Sequence, residues 1–528
     1  MATVISKYIE RYGELPVAIY STIENFAPHP CKRLLKTAGQ MRPVLFNSDA
    51  APVNAAEAFG RELQRGDEVL LDFGSYGVGY LTLSFESAGS HPDAPARIRL
   101  LFCEDLAETQ LNPEECQGSL GQGWVQEELL HLDHFPCTIS LPRRYAFRYV
   151  WLFGIDTSAK YRIVLTDAVC RRVSSADPER VAKCHWSSER LANLEETSLR
   201  TLRWCMQEVF EDGPKRDRRL WLGDLFLQAR TNYVTFQNND LVKRCLYLFG
   251  GLTFNEGRVA ACLFADGAPE PDDTWLFDYA LLYVPTLLEY WEATKDRETL
   301  REIYPIAMKQ INIALGMLDA DGIVTDRGNE FWCFLDWGEG LNKQAGAQGV
   351  LLYALQCGTR LAQAQNDPGQ AAWLESWYAK LRRAAIAALW DESSGFFVSG
   401  PDRQVSVVSQ LWMVMAEVLP ISESRKLLLH TLESELPVPM VTPYAHHFLV
   451  EALLRVGERE LALQHLEDYW GGMLDAGAET FWEVFAPKDP QASPYGSQLL
   501  NSRCHGWSCT PAWFLRKYFT DKLTDGGV

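Results

Sequence analysis

The hydrophobic period of the chain switches once, near residue 180, and that switch limits the possible folds more than any other feature. Before it, apolar and polar residues alternate with the period of two expected of half-buried strands. Leu81, Leu83 and Phe85, for example, alternate with Thr82, Ser84 and Glu86. Similar β-rich runs cover 68–74, 79–86, 96–102, 137–141, 145–155 and 161–169, with Gly, Pro and Asp between them. Several such strands predict an antiparallel β-sandwich. After Pro178 the period becomes helical. A first long amphipathic stretch at 188–210 is followed by eleven others, near 224–234, 238–249, 275–294, 297–318, 341–365, 369–390, 404–418, 421–434, 441–456, 458–473 and 505–520. Pro401, Pro420, Gly457 and Gly471 punctuate them. Their unequal lengths exclude a fixed-repeat solenoid. Twelve helices in six pairs suit a closed double ring. The 528 residues are therefore expected to form a multidomain β + α protein. It comprises an N-terminal antiparallel β-sandwich over 1–185, extension included, and a C-terminal (α/α)6 barrel over 186–528.

Charge narrows the partners. Fifty Lys and Arg against 69 Asp and Glu give a net charge of −19, which argues against nucleic acid and against an anionic membrane surface. No run of ~18 apolar residues predicts a membrane-spanning helix. The first twenty residues lack the apolar core of a secretory signal, so a cytoplasmic location is expected. Thirteen dispersed cysteines without paired spacing agree with reduced thiols in a cytosol. The tight cluster from Cys504 to Cys509 has no second pair of ligands, so no zinc, other metal or cofactor is expected. Asp319-Ala320-Asp321-Gly322 holds only part of a calcium-loop pattern and is expected to be a turn. A homodimer is compatible with such a chain.

Tryptophan is distributed unevenly. Only Trp124 and Trp151 precede residue 186, whereas fifteen of seventeen lie from Trp186 onward. Most of these suit helical core packing. Trp221, Trp275, Trp332, Trp337, Trp482 and Trp507 instead sit in polar loops beside carboxylates, where their flat faces suit sugar rings.

Two loops concentrate acids. Asp212-Gly213-Pro214-Lys215-Arg216-Asp217-Arg218-Arg219-Leu220-Trp221-Leu222-Gly223-Asp224 places three carboxylates at spacings of five and seven among four basic residues. Its residue types alone leave open a salt-bridged surface loop with Asp224 capping the next helix. Gly477-Ala478-Glu479-Thr480-Phe481-Trp482-Glu483 embeds acids among aromatics, where desolvation raises a carboxyl pKa. His505 opens the last helical stretch. Asp272 and Asp273 are expected to cap the helix before Trp275, and Asp336-Trp337 to lie on the same rim as the other loops.

These segments resemble the signatures of the α-L-rhamnosidases of glycoside hydrolase family 78. The first follows the pattern D-x-P-x-R-[DE]-x-x-x-W-x-G-D and the second G-A-x-T-x-W-E. His505-Gly506-Trp507-Ser508 with Pro511 is similar to the family's His-containing stretch. The resemblance covers most of residues 60–520, and the chain is expected to lack the additional β-domains of many members. It implies Asp217 as general acid, Glu483 as general base, and Asp212 and Asp224 as sugar-holding acids. Many members carry Glu at the position of Asp217. The resemblance further implies inversion at the anomeric carbon, and the lack of a secretory signal favours a small-molecule rhamnoside as substrate. Arg216, Trp221, Trp275, Trp332, Asp336, Trp337, Trp482 and His505 complete the expected substrate site. The chain lacks the third acid a terpene cyclase would need beside Asp272-Asp273. A non-catalytic sugar-binding barrel is expected to lose one of the two acids that this chain keeps. Another α-linked sugar on the same scaffold is the nearest rival.

Overall fold

The computed structural model describes residues 28–520 other than 44, 52–57, 117–119, 329 and 491. Eight strands form one antiparallel sheet: β1 (Phe46–Ala51), β2 (Glu62–Leu63), β3 (Glu68–Gly89), β4 (Ala96–Cys103), β5 (Glu127–Leu132), β6 (Cys137–Ser140), β7 (Tyr145–Asp156) and β8 (Tyr161–Ser174). The order is β1-β8-β3-β7-β4-β5, with β2 added on β8 and β6 on β3.

The runs at 68–74 and 79–86 are a single strand of 22 residues, not two. A register shift between Asp72 and Gly77 interrupts it without ending it, and Gly74 takes φ +77° just inside that shift. Glycine meets that conformation without the clash a Cβ would bring. The N-terminal half of β3 pairs with β7, and its C-terminal half pairs with β8 and β6. Val69, Leu71 and Phe73 from one half and Leu81, Leu83 and Phe85 from the other point into one buried core with β4, β7 and β8.

Twelve helices follow: α1 (Glu189–Cys205), α2 (Leu222–Val234), α3 (Asn239–Gly251), α4 (Phe277–Thr294), α5 (Arg297–Leu315), α6 (Gln344–Ala364), α7 (Pro368–Leu389), α8 (Val407–Met415), α9 (Ile421–Glu433), α10 (Pro443–Arg455), α11 (Arg459–His465, continuing to Asp475) and α12 (Pro511–Phe514, continuing to Phe519). Their sequences sort them into two layers. All nine residues of α8 are buried, but only five of 22 in α7 and four of 13 in α9. A helix that is apolar all round must lie inside, and an amphipathic one can face water. The even-numbered helices accordingly pack in sequence, α2 on α4, α4 on α6, α6 on α8 and α8 on α10. The turn Gly506–Ser508 then touches α10, and α12 returns to α2. Their N-terminal ends gather the loops that carry the acids.

Side-chain caps set many of the boundaries. Ser188, Asn238, Asp296, Asp367, Ser406 and Thr442 each accept a bond from the first turn of the helix that follows. Asp272 and Asp273 do not: α4 begins at Phe277 after Leu276, which corrects the expected cap. Asp224 is likewise no cap, since it lies in the first turn of α2 after Trp221. The Asp319 carboxylate accepts bonds from the backbone N–H groups of Asp321 and Ile323, so that segment is a turn as expected. All thirteen cysteines are free thiols. Among the described residues no helix is long and apolar enough to cross a membrane.

Candidate active site

The loop from Asp212 to Arg219 closes on itself. The Asp212 N–H donates to the Arg219 carbonyl at 3.0 Å, and Arg219 N–H donates to Asp212 Oδ1 at 3.0 Å. This closure holds Asp217 at φ +28° and Arg218 at φ +53°. Left-handed backbone at a non-glycine residue costs about 1–3 kcal/mol and persists only where surroundings fix it. Gly213 is required by crowding, since a Cβ there would meet Ser502 Oγ at 2.7 Å.

The stretch 500–506 then laces the acids together. Its carbonyls accept from Arg216 Nε at Leu500 (3.0 Å), from Lys215 Nζ at Asn501 (3.0 Å) and from Glu483 N–H at Ser502 (3.0 Å). Its N–H groups donate back, His505 to the Phe481 carbonyl (2.9 Å) and Gly506 to that of Asp212 (2.6 Å). Three loops far apart in sequence therefore share one backbone scaffold.

Arg216 is the electrostatic centre. One terminal nitrogen donates to Asp217 Oδ1 at 3.1 Å, and the other to Glu483 Oε2 at 2.6 Å and to the Tyr495 hydroxyl at 2.8 Å. The Tyr495 hydroxyl donates to Glu483 Oε1 at 2.7 Å, and the Arg216 guanidinium lies 4.3 Å from the centre of the Tyr495 ring. Glu483 and Arg216 are each 5% exposed in their side chains, but Asp217 is 18% exposed and borders a cleft of about 500 Å³. Of these three charged groups only Asp217 opens to solvent.

Behind this pair lie Asp212, Asp224 and His505, all buried. Burial, and then the charges of Asp217 and Asp224, push Asp212 well above the usual carboxylate range. Burial, and then the charge of Glu483, do the same to Asp224. Burial, and then the Arg216 charge, hold the His505 imidazole well below its ordinary value, so it is neutral. His505 Nε2 stands 3.9 Å from Asp212 and 3.7 Å from Glu483, and His505 Nδ1 stands 3.4 Å from Asp224 Oδ1. Neither His505 Nδ1 nor Asp224 Oδ1 has a hydrogen-bond partner among the described residues. Polar atoms buried without a partner are costly, and these two face each other across 3.4 Å.

Aromatic rings wall the site. Centroid separations of 5.5–6.2 Å link Trp221, Tyr279, Tyr444, Phe334, Trp507, Trp337 and Tyr495 in a continuous chain. Trp507 also lies 4.2 Å from the His505 ring and donates its Nε1 to the Glu483 carbonyl. Trp221 and Trp337 both belong to this chain of rings.

Four expected contacts sit differently. Both oxygens of Asp336 are occupied by Val441 N–H (2.8 Å), Thr442 N–H (3.1 Å) and the Thr442 hydroxyl (2.7 Å), so Asp336 anchors the start of α10 and is not free for a sugar. Trp482 is buried between the Arg503 guanidinium, 4.1 Å from its ring, and Phe485, and its carbonyl accepts from the Ser508 hydroxyl. It is therefore packing under the loop, not a sugar platform. Trp275 and Trp332 both pack edge-on against Phe277, in a separate group at the α4 end. Tyr279, Tyr444, Tyr495 and Lys215 escape sequence reasoning. Only their position in space marks them, because tyrosines in helices and loops carry no spacing signal.

Paired acids on a shared guanidinium beside a wall of aromatic rings suit the chemistry of a glycoside hydrolase. Residues 45–172 match the glycosyl hydrolase family 78 alpha-rhamnosidase N-terminal domain, and residues 179–519 match the bacterial alpha-L-rhamnosidase 6 hairpin glycosidase domain. The chain belongs to the α-L-rhamnosidases of glycosyl hydrolase family 78. Among solved structures it is similar to a rhamnosidase from Klebsiella oxytoca with rhamnose bound, at 44% identity and a TM-score of 0.89, over 93% of this chain and 99% of that one. A family 78 rhamnosidase of Bacillus sp. GL1 is similar at 21% identity and a TM-score of 0.72, over 85% of this chain and 46% of that one. A Streptomyces avermitilis α-L-rhamnosidase complexed with L-rhamnose is similar at 18% and 0.65, over 90% and 44%. No curated protein in the comparison matches the chain.

Proposed function

We propose that the enzyme hydrolyses small α-L-rhamnosides with inversion, releasing terminal non-reducing rhamnose. Asp217 acts as general acid, the role the family resemblance implies, and its side chain is the most exposed of the three charged groups at 18%. Glu483 acts as general base, fixed by Arg216 and Tyr495 so that it can take a proton from water. Arg216 bonds both carboxyls, and an inverting pair works with its carboxyls about 6.5–9.5 Å apart so that a water can attack. Asp212, Asp224 and His505 bind the sugar hydroxyls. The observation that carries the reading is the buried pair His505 Nδ1 and Asp224 Oδ1, 3.4 Å apart and neither hydrogen-bonded among the described residues. Two vicinal hydroxyls of one sugar ring would satisfy both. Trp221, Trp337 and Trp507 provide an apolar wall for the methyl group of a 6-deoxy sugar.

The helical half is read as an (α/α)6 barrel, because its inner helices return upon themselves, and the sheet half as a sandwich closed by the bend of β3. The boundary is placed at 185/186, between the end of β8 and the start of α1. Thirteen cysteines without a disulfide suit a reducing compartment, in agreement with a cytoplasmic enzyme.

A panel of aryl glycosides tests the substrate. The α-L-rhamnoside is expected to be cleaved with a kcat/KM about tenfold or more above its epimers and other α-linked sugars, since one misplaced hydroxyl leaves a buried polar group unpaired. Preference for another member of the panel would overturn the specificity.

A further inference from the structure

A buried ion cluster joins the sheet domain to the catalytic loop. Lys215 Nζ donates to Glu108 Oε1 at 2.7 Å and lies 3.6 Å from Glu104 Oε2. All three side chains are at most 2% exposed. Both acids come from the segment after β4, more than a hundred residues before Lys215. Each is itself fixed. Glu108 Oε2 accepts from the Glu104 N–H at 3.1 Å. Glu104 Oε1 accepts from the Tyr76 hydroxyl at 2.9 Å, and its Oε2 from the Arg503 backbone N–H at 2.6 Å. Burying two carboxylates and an ammonium is expensive, and apolar residues of similar size would often fold as well. Stability alone therefore does not explain the cluster.

Its geometry suggests what it achieves. Lys215 precedes Arg216, which holds Glu483, and the second hydrogen bond of Lys215 goes to the Asn501 carbonyl. Arg503, tied to Glu104, lies two residues before His505 in the stretch whose Ser502 carbonyl receives the Glu483 N–H. The sheet domain thus grips the catalytic loop at Lys215 and the His505 loop at Arg503. We propose that Glu104 and Glu108 are positioning residues: acting through Lys215 and the Arg503 backbone, they set Arg216, and with it Glu483, in register with His505. The sheet domain is then a working part of the active site. This rests on the roles assigned to Glu483 and His505, but the clamp itself is measurable without turnover.

The test compares wild type with Lys215→Met and Glu108→Ala in the full chain, by hydrogen–deuterium exchange and by kinetics on an aryl α-L-rhamnoside. Exchange is expected to rise in 212–219 and 498–506 and to stay unchanged in α5 and α7. kcat is expected to fall about 10–100-fold, the cost of a misplacement near 1 Å, with KM little changed. The double variant Lys215→Met/Glu108→Leu replaces the ion pair by apolar contact and guards against simple unfolding. It is expected to recover the wild-type Tm but neither the slow exchange nor the kcat. Unchanged exchange in the two loops would overturn the proposal. So would a normal kcat where exchange is fast, or recovery of kcat together with Tm in the double variant. An inactive wild type would count against the rhamnosidase reading alone, and the exchange pattern would still decide the clamp.

Discussion

Glu483→Gln and Asp217→Asn are each expected to lower kcat about 10³-fold while the protein stays folded, because positioned acid–base catalysis contributes 10²–10⁴-fold. Both substitutions keep side-chain size and one hydrogen-bonding oxygen, so Arg216 retains partners at both positions. The two variants separate by leaving group. If Asp217 is the general acid proposed above, Asp217→Asn loses least on a nitrophenyl rhamnoside, whose leaving group needs little help, and most on an alkyl rhamnoside. As the proposed base, Glu483 would act on water, so Glu483→Gln is expected to lose equally on both. A steady-state series over three or four leaving groups measures this. Equal losses for Asp217→Asn across the series would remove Asp217 from the acid role. Near wild-type kcat in Glu483→Gln would remove Glu483 from the base role.

Arg216→Met is expected to have the next largest effect, and on two quantities at once. It takes the cation from between Asp217 and Glu483 and leaves the buried Glu483 carboxylate with the Tyr495 hydroxyl as its one hydrogen-bond donor among the described residues. An uncompensated buried charge costs about 3–5 kcal/mol, which urea denaturation reads as a lower midpoint. Loss of the fixed Glu483 orientation lowers kcat about 10²-fold. Arg216→Lys separates the two effects. Its ammonium restores part of the charge balance, but a point charge cannot reach Asp217, Glu483 and the Leu500 carbonyl at once. The midpoint is therefore expected to recover more than kcat. Full recovery of both by lysine would show that Arg216 acts through charge alone.

The sequence made the helices legible because the inner ones are apolar all round and the outer ones are striped. Each of the twelve periodic stretches contains one observed helix, with boundaries moved by a few residues; the first ends at Cys205 instead of running to 210. The strands were less legible. Residues 46–51 read FNSDAA and 127–132 read EELLHL, and neither alternates, so β1 and β5 carried no signal. Gly74 looked like a strand end, yet it sits within a continuous strand.

The site divides in the same way. Asp212, Asp217, Asp224, Glu483 and His505 lie in compact motifs and were found there. Asp336 and Trp482 shared the same local look of an acid or indole in a polar loop. Their partners, Thr442 for the one and Arg503 for the other, are distant in sequence and decide their roles. Glu104 and Glu108 had no local mark at all, since a short turn after a strand gives no period. Tyr495 was hidden for the same reason, although it touches both Arg216 and Glu483.

The stereochemistry of hydrolysis tests the central claim most directly. Proton NMR of the first turnovers on an aryl α-L-rhamnoside, read before mutarotation, is expected to show β-L-rhamnose, as single displacement by water held on Glu483 requires. Initial appearance of the α-anomer would mean a double displacement, and would contradict Asp217 as general acid and Glu483 as general base of an inverting enzyme.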